Sequence, residues 1–440
     1  MKIFTSSFLR ITCLLTIFLM VGCQAPIEKE PTLEEKSQKI QLTWFFSEGR
    51  VALNLAPAIV KAFNASQDEI ELKLDAVHPS LEPDRLRIMI KTGEMPDILG
   101  PMDGGEYQGL LQAKRLLDDL EPVLIDDLKE VSPTLLDMWR VEGKLVGIPV
   151  GIRPSVLIYN KSLFDKAGVA YPPHSYGEAY ADGSEWNILK MEEIALMLTN
   201  DINGNNALAP AFDSQLVAQY GFTWHWMNGR GLVNIFGADP VMDNQGNVAL
   251  PGLWREGYHW YYSGIWEKHF IPTGNYNSRA GFTAGNMAMM INNMWYLKNL
   301  KNTSFQWDLS AIPAYQGQAT VDWQSGAMLV SRSTAYPNEA VRAAYVLANT
   351  IELLKIGGYI PTSDELLSEV LSALKNEYPS VDFQAALDGL NHLSQPASIS
   401  PLPVDMDAKF EDFRDRISTV QGLDLDAELD KLEADLKQFP

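Results

Sequence analysis

Apolar positions along the chain change period several times, and each change marks an element. Residues 11–22 are an unbroken apolar stretch of twelve, preceded by Lys2 and Arg10 and followed by Cys23. After a polar run to residue 39, residues 40–46 form a short apolar, β-rich run, and residues 53–63 carry apolar side chains at helical spacing. Ile70, Leu72 and Leu74 then alternate with Glu71, Lys73 and Asp75, the period of a strand. Residues 86–91 return to helix, and Pro96-Asp97-Ile98-Leu99 reads as another short strand. This β-α-β-α-β order predicts an α/β fold, a parallel sheet with helices on both faces. Ligands of such sheets bind beyond the carboxyl ends of the strands. The loops there are Ser47-Glu48-Gly49-Arg50 and Gly100-Pro101-Met102-Asp103-Gly104-Gly105, rich in the glycine and polar groups that close backbone approach to a ligand requires.

Residues 160–305 read as mainly helical and hold seven of the eleven tryptophans, so aromatic chemistry concentrates there. The clearest strand in that section is residues 287–292, and β character returns at 310–313 and 326–331. The tail is helical, with Phe410, Phe413 and Ile417, then Leu429, Leu432 and Leu436, at three- and four-residue spacing. A chain that leaves a sheet domain, builds another and returns makes two lobes with several crossings. A cleft between the lobes, with hinge segments at the crossings, is the expected consequence.

The apolar stretch at 11–22 is too short to span a bilayer, which takes about 20 residues, but has the size and flanks of a secretory signal. Met20-Val21-Gly22-Cys23 resembles a bacterial lipobox, with Met20 in place of the usual leucine and Cys23 as the lipidated new N-terminus. The alternative is an ordinary signal peptide ending near Gly22. Cys13 and Cys23 are the only cysteines, so the body after residue 23 has no disulfide, thiol chemistry or cysteine-ligated zinc. Residues 24–39, with Pro26, Pro31 and many charges, read as a tether reaching at most about 55 Å. The remaining 400 or so residues suffice for two domains with real cores. Net charge is −21, and −23 once Lys2 and Arg10 leave with the signal. Such a surface repels phosphate backbones and anionic headgroups, which argues against nucleic acid and against any membrane contact except through the anchor.

Four stretches, in order, resemble the solute-binding lipoproteins of bacterial ABC importers, specifically the large carbohydrate-binding group that includes maltose-binding protein. Gly143-Lys144-Leu145-Val146-Gly147-Ile148-Pro149-Val150, running into Leu157-Ile158-Tyr159-Asn160-Lys161-Ser162-Leu163-Phe164, resembles the first interlobe crossing. Ala280-Gly281-Phe282-Thr283-Ala284-Gly285-Asn286-Met287 through Trp295 resembles the segment ending in a sugar-stacking tryptophan. Ser310-Ala311-Ile312-Pro313 with Ser325-Gly326-Ala327-Met328 resembles the return crossing, and Gly358-Tyr359-Ile360-Pro361-Thr362 the late turn that begins the tail. The resemblance implies a two-lobe periplasmic-binding-protein-like fold. Residues 40–151 with 312–352 would form one lobe and 152–311 with 353–440 the other, behind a signal peptide (1–22) and a tether (23–39). It also implies a monomer at the outer face of the cell membrane or in the periplasm, which passes a carbohydrate to permease subunits and performs no chemistry.

A sugar ring has an apolar face that an indole can cover and a rim of hydroxyls that acids, amides and Arg can bond. One stacked face hiding about 100 Å² contributes roughly 2–3 kcal/mol at ~25 cal/mol per Å². Micromolar binding needs about 8 kcal/mol, so two or three stacks with a few hydrogen bonds suffice. Trp295 follows Asn292-Asn293-Met294 at a strand end and matches the family's stacking tryptophan; Asn293 joins it as a polar candidate. Trp323 stands in a polar loop, Val321 to Gly326, where it faces either ligand or core. Of Trp224 and Trp226, two apart in an aromatic run, helical geometry would bring at most one to the cleft. Arg153, between Ile152 and Pro154 in the first crossing, either binds hydroxyls or a uronate carboxylate, or closes an interlobe salt bridge. Glu48 and Asp103 are the acids placed by their loops to accept from hydroxyls. Trp44 reads as core, and Trp254, Trp260 and Trp266 as packing.

Two carboxylates across a glycosidic bond would make a hydrolase, and Glu48 with Asp103 could fill those roles, so an anchored carbohydrate-active enzyme is the rival class. An anchored ligand sensor feeding a receptor is another. No Gly-x-Ser-x-Gly, His-Glu-x-x-His or phosphate-binding glycine motif is present, and the six histidines lack metal-ligand spacing. No cofactor and no metal are expected. Asp201-Ile202-Asn203-Gly204-Asn205-Asn206 opens like a calcium loop, but Phe212 at the twelfth position and Asn206 at the sixth favour a plain Asx-rich turn, with a calcium site as the alternative.

Overall fold

The computed structural model describes residues 39–47, 50–103, 107–224, 230–243, 247–275, 278–361, 363–393 and 404–439. Strand β1 (Ile40–Ser47) buries Leu42, Trp44, Phe45 and Phe46, a near-continuous apolar run because both faces of the sheet are covered. The helix Arg50–Ser66 returns the chain, burying Ala52, Ala56, Ile59 and Phe63 at three- and four-residue spacing. Strand β2 (Ile70–Val77) then lies parallel to β1. A second helix, Glu82–Thr92, ends at Gly93, whose φ of 77° is the left-handed stop that glycine supplies without cost. Strand β3 (Ile98–Asp103) completes the parallel set on the other side of β1. The expected β-α-β-α-β start is what the chain builds, and Trp44 is core, its indole N–H donating to the Gly100 carbonyl at 2.7 Å.

The short hairpin β4 (Arg140–Val141) and β5 (Lys144–Leu145) leads into the longest strand, β6 (Ile148–Asn160). Then come β7 (Asn200–Asp201), β8 (Val217–Trp224), β9 (Met287–Asn293), β10 (Trp307–Ser310) and β11 (Trp323–Val330). One mixed sheet runs β2-β1-β3-β11-β6-β9-β8-β7, with β10 beside β6. β6 serves two neighbourhoods in turn. Its residues 148–154 pair with β11, and residues 155–160 pair with β9 and β10.

Two apolar clusters cover the sheet. One gathers β1, β3 and β11 with helices such as Pro337–Ala348 and Ile351–Gly357, and extends to Met287, Met290 and Tyr378. The other gathers Tyr159, Phe222, Met289 and Ile291 with the helix Gly252–Trp266 and the tail. Successive side chains of a strand face opposite ways, so Met290 joins one cluster while its neighbours Met289 and Ile291 join the other. The tail helices Val404–Thr419 and Leu425–Leu436 bury all six apolar residues named from their spacing. Phe410 packs on Trp254 at 5.2 Å and Phe413 on Tyr258 at 4.9 Å between ring centres, so Trp254 is a packing residue as expected.

Candidate functional site

Strand directions define the place. β3 runs one way and ends at Asp103; β9 and β8 run the opposite way and end at Asn293 and Trp224. Asp103 aligns with Gly326 of β11, Gly326 aligns with Gly151 of β6, and Ser155 of β6 aligns with Asn293. The carboxyl ends of two strand sets therefore face each other across residues 151–155 of β6. Four residues of extended chain separate them, about 13 Å at 3.3 Å per residue. Carboxyl ends of strands are where open α/β sheets take ligands, and here two such ends converge.

Arg153 lies in the middle of that span and is 6% exposed. Its guanidinium carbon sits 4.3 Å from the ring centre of Tyr359. Asn293 donates from Nδ2 to the Arg153 carbonyl at 3.1 Å, and Ser155 donates from Oγ to Asn293 Oδ1 at 3.4 Å. The Ser155 N–H donates to the carbonyl of Asp322 at 2.8 Å, and Asn234 Nδ2 donates to Asp322 Oδ1 at the same distance. Trp295 follows β9 by two residues, in the short helix Met294–Asn299, and is half-buried, with Lys298 over its ring at 5.9 Å.

The structure thus brings Arg153, Asn293, Trp295, Trp323 and the end of β8 to one region, with the backbone of Asp103 at its border. Three local expectations are corrected. Asp103 is not in a loop: it ends β3, which takes in Gly100, Pro101 and Met102 of the expected loop. Trp323 is not in a loop: it opens β11, opposite Pro154, and is 8% exposed. Trp224 is not helical: it ends β8, aligned with Ile291, and is 9% exposed with its ring 6.4 Å from Phe222. Glu48, Trp226 and Cys23 lie outside the described residues, as does the Asp103 side chain. Asn234, Asp322 and Tyr359 join the region from distant segments. Only the alternation Tyr220, Phe222, Trp224 was a local sign of β8 that helical spacing obscured.

The Asp201 turn lies elsewhere, and its carboxylate is saturated with donors. Oδ1 accepts from the N–H groups of Asn203 at 2.8 Å and Asn205 at 2.9 Å; Oδ2 accepts from Asn205 Nδ2 at 3.0 Å and the Asp213 N–H at 3.1 Å. Burial alone would raise its pKa. The Asn205 amide and the three backbone N–H groups outweigh that and hold the carboxyl below its ordinary range. A cation would have to displace those donors. Among the described residues no group of three or more His, Cys, Asp or Glu is placed to hold a metal ion.

The comparisons with known proteins bear on the fold and the family. An ABC substrate-binding protein of Listeria monocytogenes, solved with cycloalternan, superposes with a TM-score of 0.71 at 17% identity, covering 91% of this chain and 99% of its own. UgpB of Mycobacterium tuberculosis, solved with glycerophosphocholine, gives 0.71 at 15% identity, covering 91% and 98%. In sequence, the arabinooligosaccharide-binding protein of Bacillus subtilis is 30% identical over 173 residues, 38% of each chain. A Brucella abortus protein named as a binding protein is 27% identical over 128 residues, 29% of this chain and 31% of its own. The chain therefore matches only about a third of the length of these relatives. The family profile described as bacterial extracellular solute-binding protein reaches much further, from residue 58 to residue 382. Matched over that span, most of its length, the chain belongs to the bacterial extracellular solute-binding proteins, a family that binds and does not catalyse.

Proposed function

We propose that the protein is the lipid-anchored binding component of an ABC importer, that its ligand is a carbohydrate of the oligosaccharide class, and that it hands this ligand to permease subunits. One observation carries the reading: the carboxyl ends of β3 and of β8 and β9 face each other across Arg153. Trp224, Trp295 and Trp323 stand at this place beside the amides of Asn234 and Asn293. Indoles for ring faces and amides with a guanidinium for hydroxyls are the equipment a sugar needs. The Bacillus relative's name and the Listeria protein's bound cycloalternan support the ligand class.

On this reading the crossing at residues 151–155 is the floor of a cleft. Residues 40–151 with 312–352 and residues 152–311 with 353–440 are the lobes that close over it. Contacts made on both lobes only in the closed state then drive closure. Cys23 carries the anchor, and residues 24–39 let the body move clear of the surface.

The test is tryptophan fluorescence of residues 24–440 titrated with neutral and acidic oligosaccharides and with glycerophosphodiesters. A saturable change at micromolar sugar, with no reducing sugar released, supports the proposal. A response to the phosphodiesters alone would replace the ligand class, and turnover would hand the site to the enzyme reading. Metabolic labelling with a radiolabelled fatty acid tests the anchor, which requires label in the wild type and none in Cys23→Ser.

A further inference from the structure

Tyr359 is 1% exposed, yet it belongs to no strand and follows the helix Ile351–Gly357 by two residues. Its neighbour Ile360 fixes it against β6: Ile152 N–H donates to the Ile360 carbonyl at 2.9 Å, and Ile360 N–H donates to the Ile152 carbonyl at 2.7 Å. Three glycines then make room for the side chain. A Cβ on Gly326 of β11 would collide with the Tyr359 hydroxyl, and one on Gly357 would collide with the ring edge. A Cβ on Gly151 of β6 would stand 3.3 Å from Tyr359 Cβ and only 2.7 Å from the Ile360 carbonyl. Two strands and a helix end thus leave a slot for one aromatic ring, and the ring's face lies under the Arg153 guanidinium at 4.3 Å.

We infer that Tyr359 is a positioning residue: its ring, seated in the slot left by Gly151, Gly326 and Gly357, holds the Arg153 guanidinium in place at the crossing of β6. The consequence for binding rests on the proposal that this region takes a ligand; the contact itself does not. A guanidinium held over a ring keeps its charge while being shielded on that side, and its planar fork is restrained before any ligand arrives. A flexible arginine would lose that freedom on binding, so the ring acts by preorganisation.

The first experiment needs no ligand. Residues 24–440 are treated with phenylglyoxal, and modification of Arg153 is followed by peptide mass mapping in wild type, Tyr359→Phe, Tyr359→Leu and Gly326→Ala, each checked for a cooperative melt. Wild type and Tyr359→Phe should protect Arg153 equally, while Tyr359→Leu and the crowded Gly326→Ala should expose it several-fold. Equal protection in all four overturns the inference, and so does loss of protection in Tyr359→Phe, since the hydroxyl and not the ring would then matter. Gly326→Ala keeps the test decisive if Tyr359→Leu does not fold. With whichever sugar wild type binds, Tyr359→Leu should weaken binding roughly tenfold, the scale of a desolvated cation–π contact, and Tyr359→Phe should restore it. In an Arg153→Ala background the Tyr359→Leu change should have no further effect on affinity; an undiminished effect there overturns the inference. Absence of any wild-type binding would refute the ligand reading alone, because labelling still decides the contact.

Discussion

The side-chain amide of Asn293 donates to the main-chain carbonyl of Arg153 at 3.1 Å, joining the end of the strand before Trp295 to the middle of β6. Asn293 is buried, and its carbonyl oxygen receives the Ser155 hydroxyl. Asn293→Ala should cost about 1 kcal/mol of stability for each of the two lost bonds. It should cost more than that in ligand affinity, because the relative placement of β9 and β6 is loosened. Urea melts and fluorescence titrations of the same variant check both. A lowered midpoint with unchanged affinity would make Asn293 a strut only.

Trp295 and Trp254 should respond oppositely to truncation. Trp295 is half-buried at a strand end, whereas Trp254 is fully buried, and its indole N–H donates to the Asp239 carbonyl at 2.8 Å. Trp295→Ala should weaken sugar binding by about 2 kcal/mol, some thirtyfold, with a melt close to wild type. Trp254→Ala should cost about 3–5 kcal/mol of stability and leave the affinity of the folded fraction intact. The reverse pattern would make Trp295 the packing residue.

How much of this was legible in the sequence follows from how local each signal is. The parallel start of the sheet could be read because Ile70, Leu72 and Leu74 alternate within one strand and residues 53–63 keep helical period. The tail could be read for the same reason. Trp323 could not be placed, because Val321-Asp322-Trp323-Gln324-Ser325 is locally polar and becomes a strand only by pairing with β6. The stack of Tyr359 on Arg153 joins residues about two hundred positions apart, and the glycines that admit it are spread over three elements. A single sequence carries no sign of such a juxtaposition. The family resemblance implied two lobes and periodicity a cleft between them, whereas the facing strand ends follow from pairings between distant segments.

Gly358 offers a test of the same late turn. Its φ is 67°, and a Cβ there would strike the backbone of Met294 and Trp295. Gly422 has a φ of 78° but open space around it. Gly422→Ala should therefore cost only the left-handed strain, about 1 kcal/mol. Gly358→Ala should cost clearly more and should also weaken ligand binding, since Trp295 must move. Denaturant melts of the pair, with titrations alongside, measure the difference. Equal costs would mean that the turn yields without disturbing Trp295.

The Asp201 turn predicts a defined pH dependence. Its carboxylate accepts four hydrogen bonds, and its pKa in the folded protein lies below the ordinary 3.8. A group whose pKa is depressed by folding contributes stability that is complete above its unfolded value and is lost as pH falls through the folded value. Wild type should therefore exceed Asp201→Asn in melting temperature at neutral pH. The gap should be constant down to about pH 5 and should close progressively below pH 4. Because donors already occupy both oxygens, calcium or a chelator should leave the wild-type melt unchanged. A calcium-dependent rise present in wild type and absent in Asp201→Asn would show instead that the loop rearranges around a cation, and that its opening resemblance to a calcium loop reflects a real site.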